Sequence, residues 1–259
     1  MAAPYEQVVL FGDSLFEACV DVQNGFSFYA AVQKHCSRRY DVVNRGFSGY
    51  NTSQALQILE QIFPEPTASG PKMKYLLVLL GANDAALPQE EGNQGLPLEQ
   101  YKANLQRIIT HPRITAHNAR VLLITPPPLD EIRTTELDTP KYGHTLRETV
   151  RSARYSQAAR EVAAAVPGTV LIDLQQALMD TAIANTQGWD ASQKSALGSL
   201  ESGRRGYLEQ LLPDGLHLSG EAYQVLWGLV QPELEPQFPN QGTEGYVYPE
   251  WRQAPWLKK

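Results

Sequence analysis

The chain predicts an α/β fold built on a parallel sheet, and three observations carry the prediction. Short aliphatic runs alternate with longer segments of helical spacing. Those runs are nearly continuous in apolar residues instead of alternating with polar ones, as strands covered on both faces must be. Finally, 259 residues with 42% apolar and 19% charged side chains suffice to bury a sizeable core.

In chain order, the expected strands are Val8 to Phe11, Val42 to Asn44, Tyr75 to Leu80, Arg120 to Ile124 and Val170 to Asp173. Between and after them, apolar residues recur at three- and four-residue spacing from Ser27 to Cys36, Thr52 to Ile62, Leu98 to Thr110, Leu146 to Val166 and Gly220 to Val230. A βαβ rhythm of this kind places helices on both sides of the sheet. Three stretches break it. Pro88 to Pro97 is acidic and rich in turn formers, and is expected to be a solvated loop. Pro126 to Pro140 opens with three prolines, which exclude a helix at its start. Pro232 to Lys259 holds five prolines and aromatics including Trp251 and Trp256, and is expected to pack across the body as a tail. No repeat, low-complexity tract or linker divides the chain, so residues 1–259 are expected to form one domain.

Charge and composition exclude several classes. Lys and Arg total 22 against 28 Asp and Glu, a formal charge of −6. Such a chain has no global attraction for nucleic acid or an anionic membrane, and its densest basic clusters are the pairs Arg38-Arg39 and Arg204-Arg205. Cys19 and Cys36 make neither a disulfide framework nor a C-x-x-C pair, a usage that leans towards a reducing compartment. The opening MAAPYEQVVLFGDS carries Glu6 in place of a basic region, so no signal peptide is expected. The longest apolar run, around Tyr75 to Leu80, falls far below the roughly 20 residues a membrane span requires. The expectation is a soluble, cytoplasmic protein without a membrane span. The five histidines, His35, His111, His117, His144 and His217, are scattered and suggest no metal set. G-x-S-x-G, G-x-G-x-x-G and Walker-type loops are missing, so no metal or organic cofactor is expected.

The chemistry-bearing residues sit where strands end. The first strand runs into Gly12-Asp13-Ser14, at the carboxyl end of the sheet where ligands of such folds bind. The second runs into Asn44-Arg45-Gly46-Phe47-Ser48-Gly49-Tyr50-Asn51-Thr52, with glycines that let another molecule approach the backbone. The third runs into Gly81-Ala82-Asn83-Asp84, which offers a side-chain amide at the rim. Taken alone, each reads first as a turn followed by a helix cap. Late in the chain, Pro213-Asp214-Gly215-Leu216-His217 places an Asp three residues ahead of a His, close enough to set a carboxylate against Nδ1. Together they meet the requirements of nucleophilic acyl transfer: nucleophile, base, orienter and oxyanion donors.

These blocks resemble those of the GDSL esterase/lipase group, the SGNH hydrolases, in order and in spacing. Ser14 in FGDSL matches the nucleophile block, Gly49 in GFSGYNT the glycine block, Asn83 in GAND the asparagine block, and Asp214 with His217 the D-x-x-H block. No catalytic position departs from the pattern. Within the group, NRGFSGYNT, LLGANDA, PDGLHLS and the terminal YVYPEWR look most like the isoamyl acetate-hydrolysing esterase branch. The resemblance implies a flavodoxin-like three-layer α/β/α sandwich, the SGNH-hydrolase fold, with a five-stranded parallel sheet of order 2-1-3-4-5. It also implies a serine esterase with Ser14, Asp214 and His217 as catalytic residues and with Ser14, Gly49 and Asn83 forming the oxyanion hole. The expected partner is a small ester, short-chain and acetate-type on the branch resemblance, with no nucleic acid and with room for a homodimer. Phe16, Phe47, Tyr50, Ala85 and Leu216 flank the blocks and are candidate substrate-pocket walls, core packing being the alternative for each. The rival readings are a thioesterase or acyltransferase using the same residues, and a non-catalytic flavodoxin-like binding module.

Overall fold

The computed structural model describes residues 5–67, 69–89, 92–190, 192, 194–234, 243 and 245–255. Five strands, β1 (Glu6–Gly12), β2 (Tyr40–Gly46), β3 (Met73–Leu79), β4 (Arg120–Ile124) and β5 (Val170–Ile172), form one sheet of order β2-β1-β3-β4-β5. Every pairing is parallel. Gly12 stands beside both Gly46 and Leu79, so the three neighbouring strands finish level with one another.

Side chains along each buried strand alternate between two cores. Val8 and Leu10 of β1, with Tyr75, Leu77 and Leu79 of β3, face one layer. That layer is built from α1 (Ser14–Glu17), α2 (Phe28–Cys36), α8 (Leu174–Asn185), α9 (Leu208–Leu211) and α10 (Gly220–Val230). Val9, Phe11, Leu76 and Val78 face the other, built from α3 (Thr52–Ile62), α4 (Leu98–Ile109), α5 (Pro112–Thr115) and α7 (Thr149–Ala165). Burial on both faces is why these strands read as unbroken apolar runs. Cys19 and Cys36 are free and buried in the first core. Burial pushes both thiols up to about 12.

Helix starts follow local capping chemistry. Ser27 accepts from the Ala30 N–H, Asn51 and Gln54 form a capping box, and Ser219 accepts from the Ala222 N–H. Besides the single-turn helices α5 and α9, two helices of twelve residues lie where none was expected. Asp130 caps α6 (Glu131–Tyr142), which starts beyond the three prolines, carries Pro140 in its last turn and ends at Gly143. The prolines do exclude a helix at Pro126, but their effect stops with them. Asp173 both closes β5 and caps α8, so a strand passes into a helix with no loop to mark the change. Of the expected tail, residues 235–242, 244 and 256–259, with Trp256, lie outside the described residues. In the described part, the Tyr246 ring lies against the Arg38 and Arg39 guanidinium groups, 4.2 and 4.6 Å from its centroid, and the Val247 N–H donates to Arg38 O. These contacts sit at the amino-terminal edge of β2, opposite the rim where the strands end. Among the described residues, no helix is long and apolar enough to cross a membrane.

Candidate active site

Ser14 opens α1 two residues after β1 ends. Asp13 caps that short helix by accepting from the Leu15 N–H at 2.9 Å. The Asp13 carboxyl is fully buried, its Oδ2 lacks a partner, and burial pushes it up to about 7. Cap and rim hydroxyl, two readings that compete in the sequence, thus fall to adjacent residues. Gly46, the last residue of β2, lets α1 lie directly on the strand, since a Cβ there would stand 2.1 Å from the Glu17 backbone N.

The histidine comes from the far end of the chain. Ser14 Oγ lies 2.9 Å from His217 Nε2, across 203 positions of sequence. Asp214 Oδ2 lies 2.6 Å from His217 Nδ1, while Asp214 Oδ1 accepts from the Leu216 and His217 N–H groups at 2.9 and 2.8 Å. A carboxylate has no hydrogen to give, so this contact calls for the proton on Nδ1 and leaves the Nε2 lone pair towards Ser14. Despite partial burial, the hydrogen bonds from His217 and from the loop backbone hold the Asp214 carboxyl down to about 2. The same bond from Asp214 raises the His217 imidazole above its ordinary value, against the opposing effect of burial. The loop is fastened beneath the site: Gly215 O accepts from the Asp130 N–H, and the buried Asp130 carboxylate pairs with Arg205 at 2.6 Å.

Gly49 and Asn83 follow the ends of β2 and β3, on either side of β1. The Phe47 N–H donates to Gly12 O, and Asn83 Nδ2 donates to Tyr50 O at 2.9 Å, so backbone and amide bonds knit the three turns together. Gly49 has φ +81°, a left-handed conformation that side-chain-bearing residues adopt only at a cost. Its carbonyl accepts from Gln94 Nε2 at 2.8 Å, and Gln94 O accepts from Asn51 Nδ2. The far end of the 88–97 loop is therefore packed on the glycine turn, which corrects the expectation of a merely solvated loop. Its residues Glu90 and Glu91 lie outside the described residues. Next to Asn83, the buried Asp84 accepts from Thr52 N and Oγ1, tying the third turn to the start of α3; burial pushes it up to about 6.

The five expected pocket walls divide. Phe16 is fully buried in the core and stacks on Phe28, and Ala85 is buried under α7, whose Arg151 holds its carbonyl. Neither faces open space at the site, and both are corrected to core residues. Phe47 and Tyr50 are half-buried and stacked on each other at 5.2 Å, and Leu216 is half-buried beside His217. Gln94 and Arg147, which reaches Asn83 Oδ1 at 3.4 Å, escaped the sequence reading because both lie in segments without a motif. Among the described residues, no group of three or more His, Cys, Asp and Glu side chains is placed to hold a metal ion.

Comparison with known proteins bears on family and fold. The model of the GDSL-like lipase/acylhydrolase family matches residues 10–225. The chain is 31% identical over 252 residues to the mouse isoamyl acetate-hydrolyzing esterase 1 homolog, covering 96% of this chain and 88% of that protein. It is 39% identical over 127 residues to a GDSL esterase/lipase of Arabidopsis thaliana; that match takes in 48% of this chain and spans only 52% of the plant protein. Among solved structures, the acetylxylan esterase Axe2 from Geobacillus stearothermophilus, a catalytic mutant, superposes with a TM-score of 0.56 at 17% identity, over 90% of this chain and 96% of that one, a likeness of fold.

Proposed function

This chain belongs to the GDSL-like lipase/acylhydrolase family, and from that premise we propose that it is a serine esterase that hydrolyses short-chain carboxylic esters. The observation that carries the reading is the unbroken line from Ser14 Oγ through His217 to Asp214, at 2.9 and 2.6 Å. Ser14 Oγ attacks the ester carbonyl as His217 Nε2 takes its proton, and Asp214 stabilises the imidazolium that results. The tetrahedral oxyanion is met by the Ser14 and Gly49 N–H groups and by the Asn83 amide. His217 then passes the proton to the departing alkoxide, leaving an acyl-serine. Water repeats the cycle, releasing the acid and restoring Ser14. Asn83 Nδ2 has two hydrogens and spends one on Tyr50 O, so one is left for the oxyanion.

Acetate-type substrates are favoured by the likeness to the isoamyl acetate-hydrolyzing esterase homolog, which runs over nearly the whole chain. Phe47, Tyr50 and Leu216 are the walls we assign to the acyl or alcohol group. A site that draws on residues from Ser14 to His217 also supports reading the chain as one domain. The test is Ser14→Ala together with fluorophosphonate labelling. The variant should fold, lose the label and lose several orders of magnitude of aryl acetate hydrolysis, since nucleophile removal leaves only binding and oxyanion stabilisation. A folded variant with near wild-type activity, or a label elsewhere than Ser14, overturns the assignment. Running aryl esters of increasing acyl length beside acyl-thioesters measures the pocket and separates an esterase from a thioesterase.

A further inference from the structure

Arg147 lies between α6 and α7, outside every sequence block, and its surroundings are unusual for a guanidinium. It is half-buried, its Nε is buried without a hydrogen-bond partner, and among the described residues it forms no ion pair. Holding such a cation partly away from water is costly when no carboxylate bonds it directly. The backbone nonetheless fixes it in place: Thr145 Oγ1 bonds Arg147 O and N, Leu146 O accepts from the Leu87 N–H, and the Leu146 N–H donates to Asp138. Its side chain donates from Nη2 to Asn83 Oδ1, at 3.4 Å.

That bond matters because an Asn side chain has two ends of nearly the same shape and opposite chemistry. Tyr50 O can only accept and the Arg147 guanidinium can only donate. With Nδ2 on Tyr50 O and Oδ1 towards Arg147, both partners are matched. Turning the amide over would set its carbonyl against the Tyr50 carbonyl and its N–H groups against a cation. We infer that Arg147 is a positioning residue of the oxyanion site, deciding through Asn83 Oδ1 which end of the Asn83 amide faces the substrate carbonyl. Drawing electron density towards Oδ1 also strengthens the remaining Nδ2–H as a donor. The inference rests on the oxyanion role proposed for Asn83.

The same guanidinium acts on His217. Asp214 and Asp13 raise the imidazole and Arg147 lowers it, while the charges of Asp138, Asp13 and Asp214 and the Tyr142 phenol favour the charged guanidinium against its burial. Removing the cation should therefore move the acid limb of the pH–rate profile to higher pH.

The experiment is a double-mutant cycle of Arg147→Met and Asn83→Ala, with kcat and KM for an aryl acetate measured across pH. Loss of one long charge-assisted bond predicts a fall in kcat of about 10-fold for Arg147→Met, with KM changed less than about twofold. The acid limb should rise, Arg147→Lys should recover part of the rate, and Arg147→Met should cost little further in the Asn83→Ala background. Full multiplicative loss in the double variant, or a loss confined to KM, overturns the inference and assigns Arg147 a direct role on the substrate. If Arg147→Met fails to fold, Arg147→Leu, which likewise has no donor, carries the same cycle. An Asn83→Ala single variant with unchanged kcat would instead sink the oxyanion reading itself, so the two failures are distinct.

Discussion

Replacing Asp214 by Asn tests the orientation of the base with almost no change in shape. In the native loop one carboxylate oxygen accepts from two backbone N–H groups and the other faces His217 Nδ1 at 2.6 Å. In the variant the amide oxygen can keep both backbone bonds, so its N–H₂ must face Nδ1. Nδ1 then has to accept, the ring proton moves to Nε2, and the atom facing Ser14 Oγ no longer has a lone pair to give. A base held in the wrong tautomer costs about 10⁴ in kcat, close to 5.5 kcal/mol of barrier. The stability change is smaller and has a definite sign. Asp214 is held down from 3.8 to about 2, so its contribution is complete above about pH 4 and is lost as pH falls towards 2. A displacement of that size is worth about 2 kcal/mol for a sheltered group. The side chain is 43% exposed, and solvent screening leaves about 1 kcal/mol. The assay is kcat for an aryl acetate at pH 8, beside thermal unfolding at pH 7. A fall of about 10⁴ in rate with Tm lowered by only about 2–4 °C is expected. A folded variant that keeps more than about a tenth of wild-type kcat would refute the tautomer argument.

Asn83→Ala should lower kcat by about 10²–10³ with a lesser effect on KM, because the donor it removes acts on charge that builds only in the transition state; a loss mainly in KM would make Asn83 a ground-state binder. The acid limb of kcat/KM should have its midpoint above 6.5, since the Asp214 bond raises His217 and the imidazolium cannot act as a base; a midpoint near pH 5, or a flat profile, would contradict a His217 base. Gly46→Ala should lower Tm by roughly 3–9 °C and activity with it, because the new Cβ would stand 2.1 Å from the Glu17 backbone and must push α1, with Ser14, off the strand end. An unchanged Tm would show that α1 can move at little cost.

Much of this arrangement can be read along the chain, where the deciding interactions span only a few residues. Unbroken apolar runs mark strands covered on both sides, and each observed strand overlaps an expected one. Caps such as Ser27, Asn51 and Ser219 act on N–H groups three residues on, so their meaning is local. Asp214 and His217 also meet within a single loop, so their spacing alone conveys the contact. Only the tertiary structure brought Ser14 to His217, because their bond depends on where the loop before α10 returns to the rim of the sheet. It also decided that Phe16 and Ala85 face the core while Phe47 and Tyr50 stay half-open. Residues flanking a turn have no fixed periodicity, and their neighbours come from distant segments. Arg147 is the extreme case. An arginine between two helices has no pattern of its own, and its importance arises only once the fold removes it from water and sets it against the Asn83 amide. Local hydrogen bonding determined the turns and the spacing of the reactive groups, whereas desolvation and long-range packing decided which of them share one site.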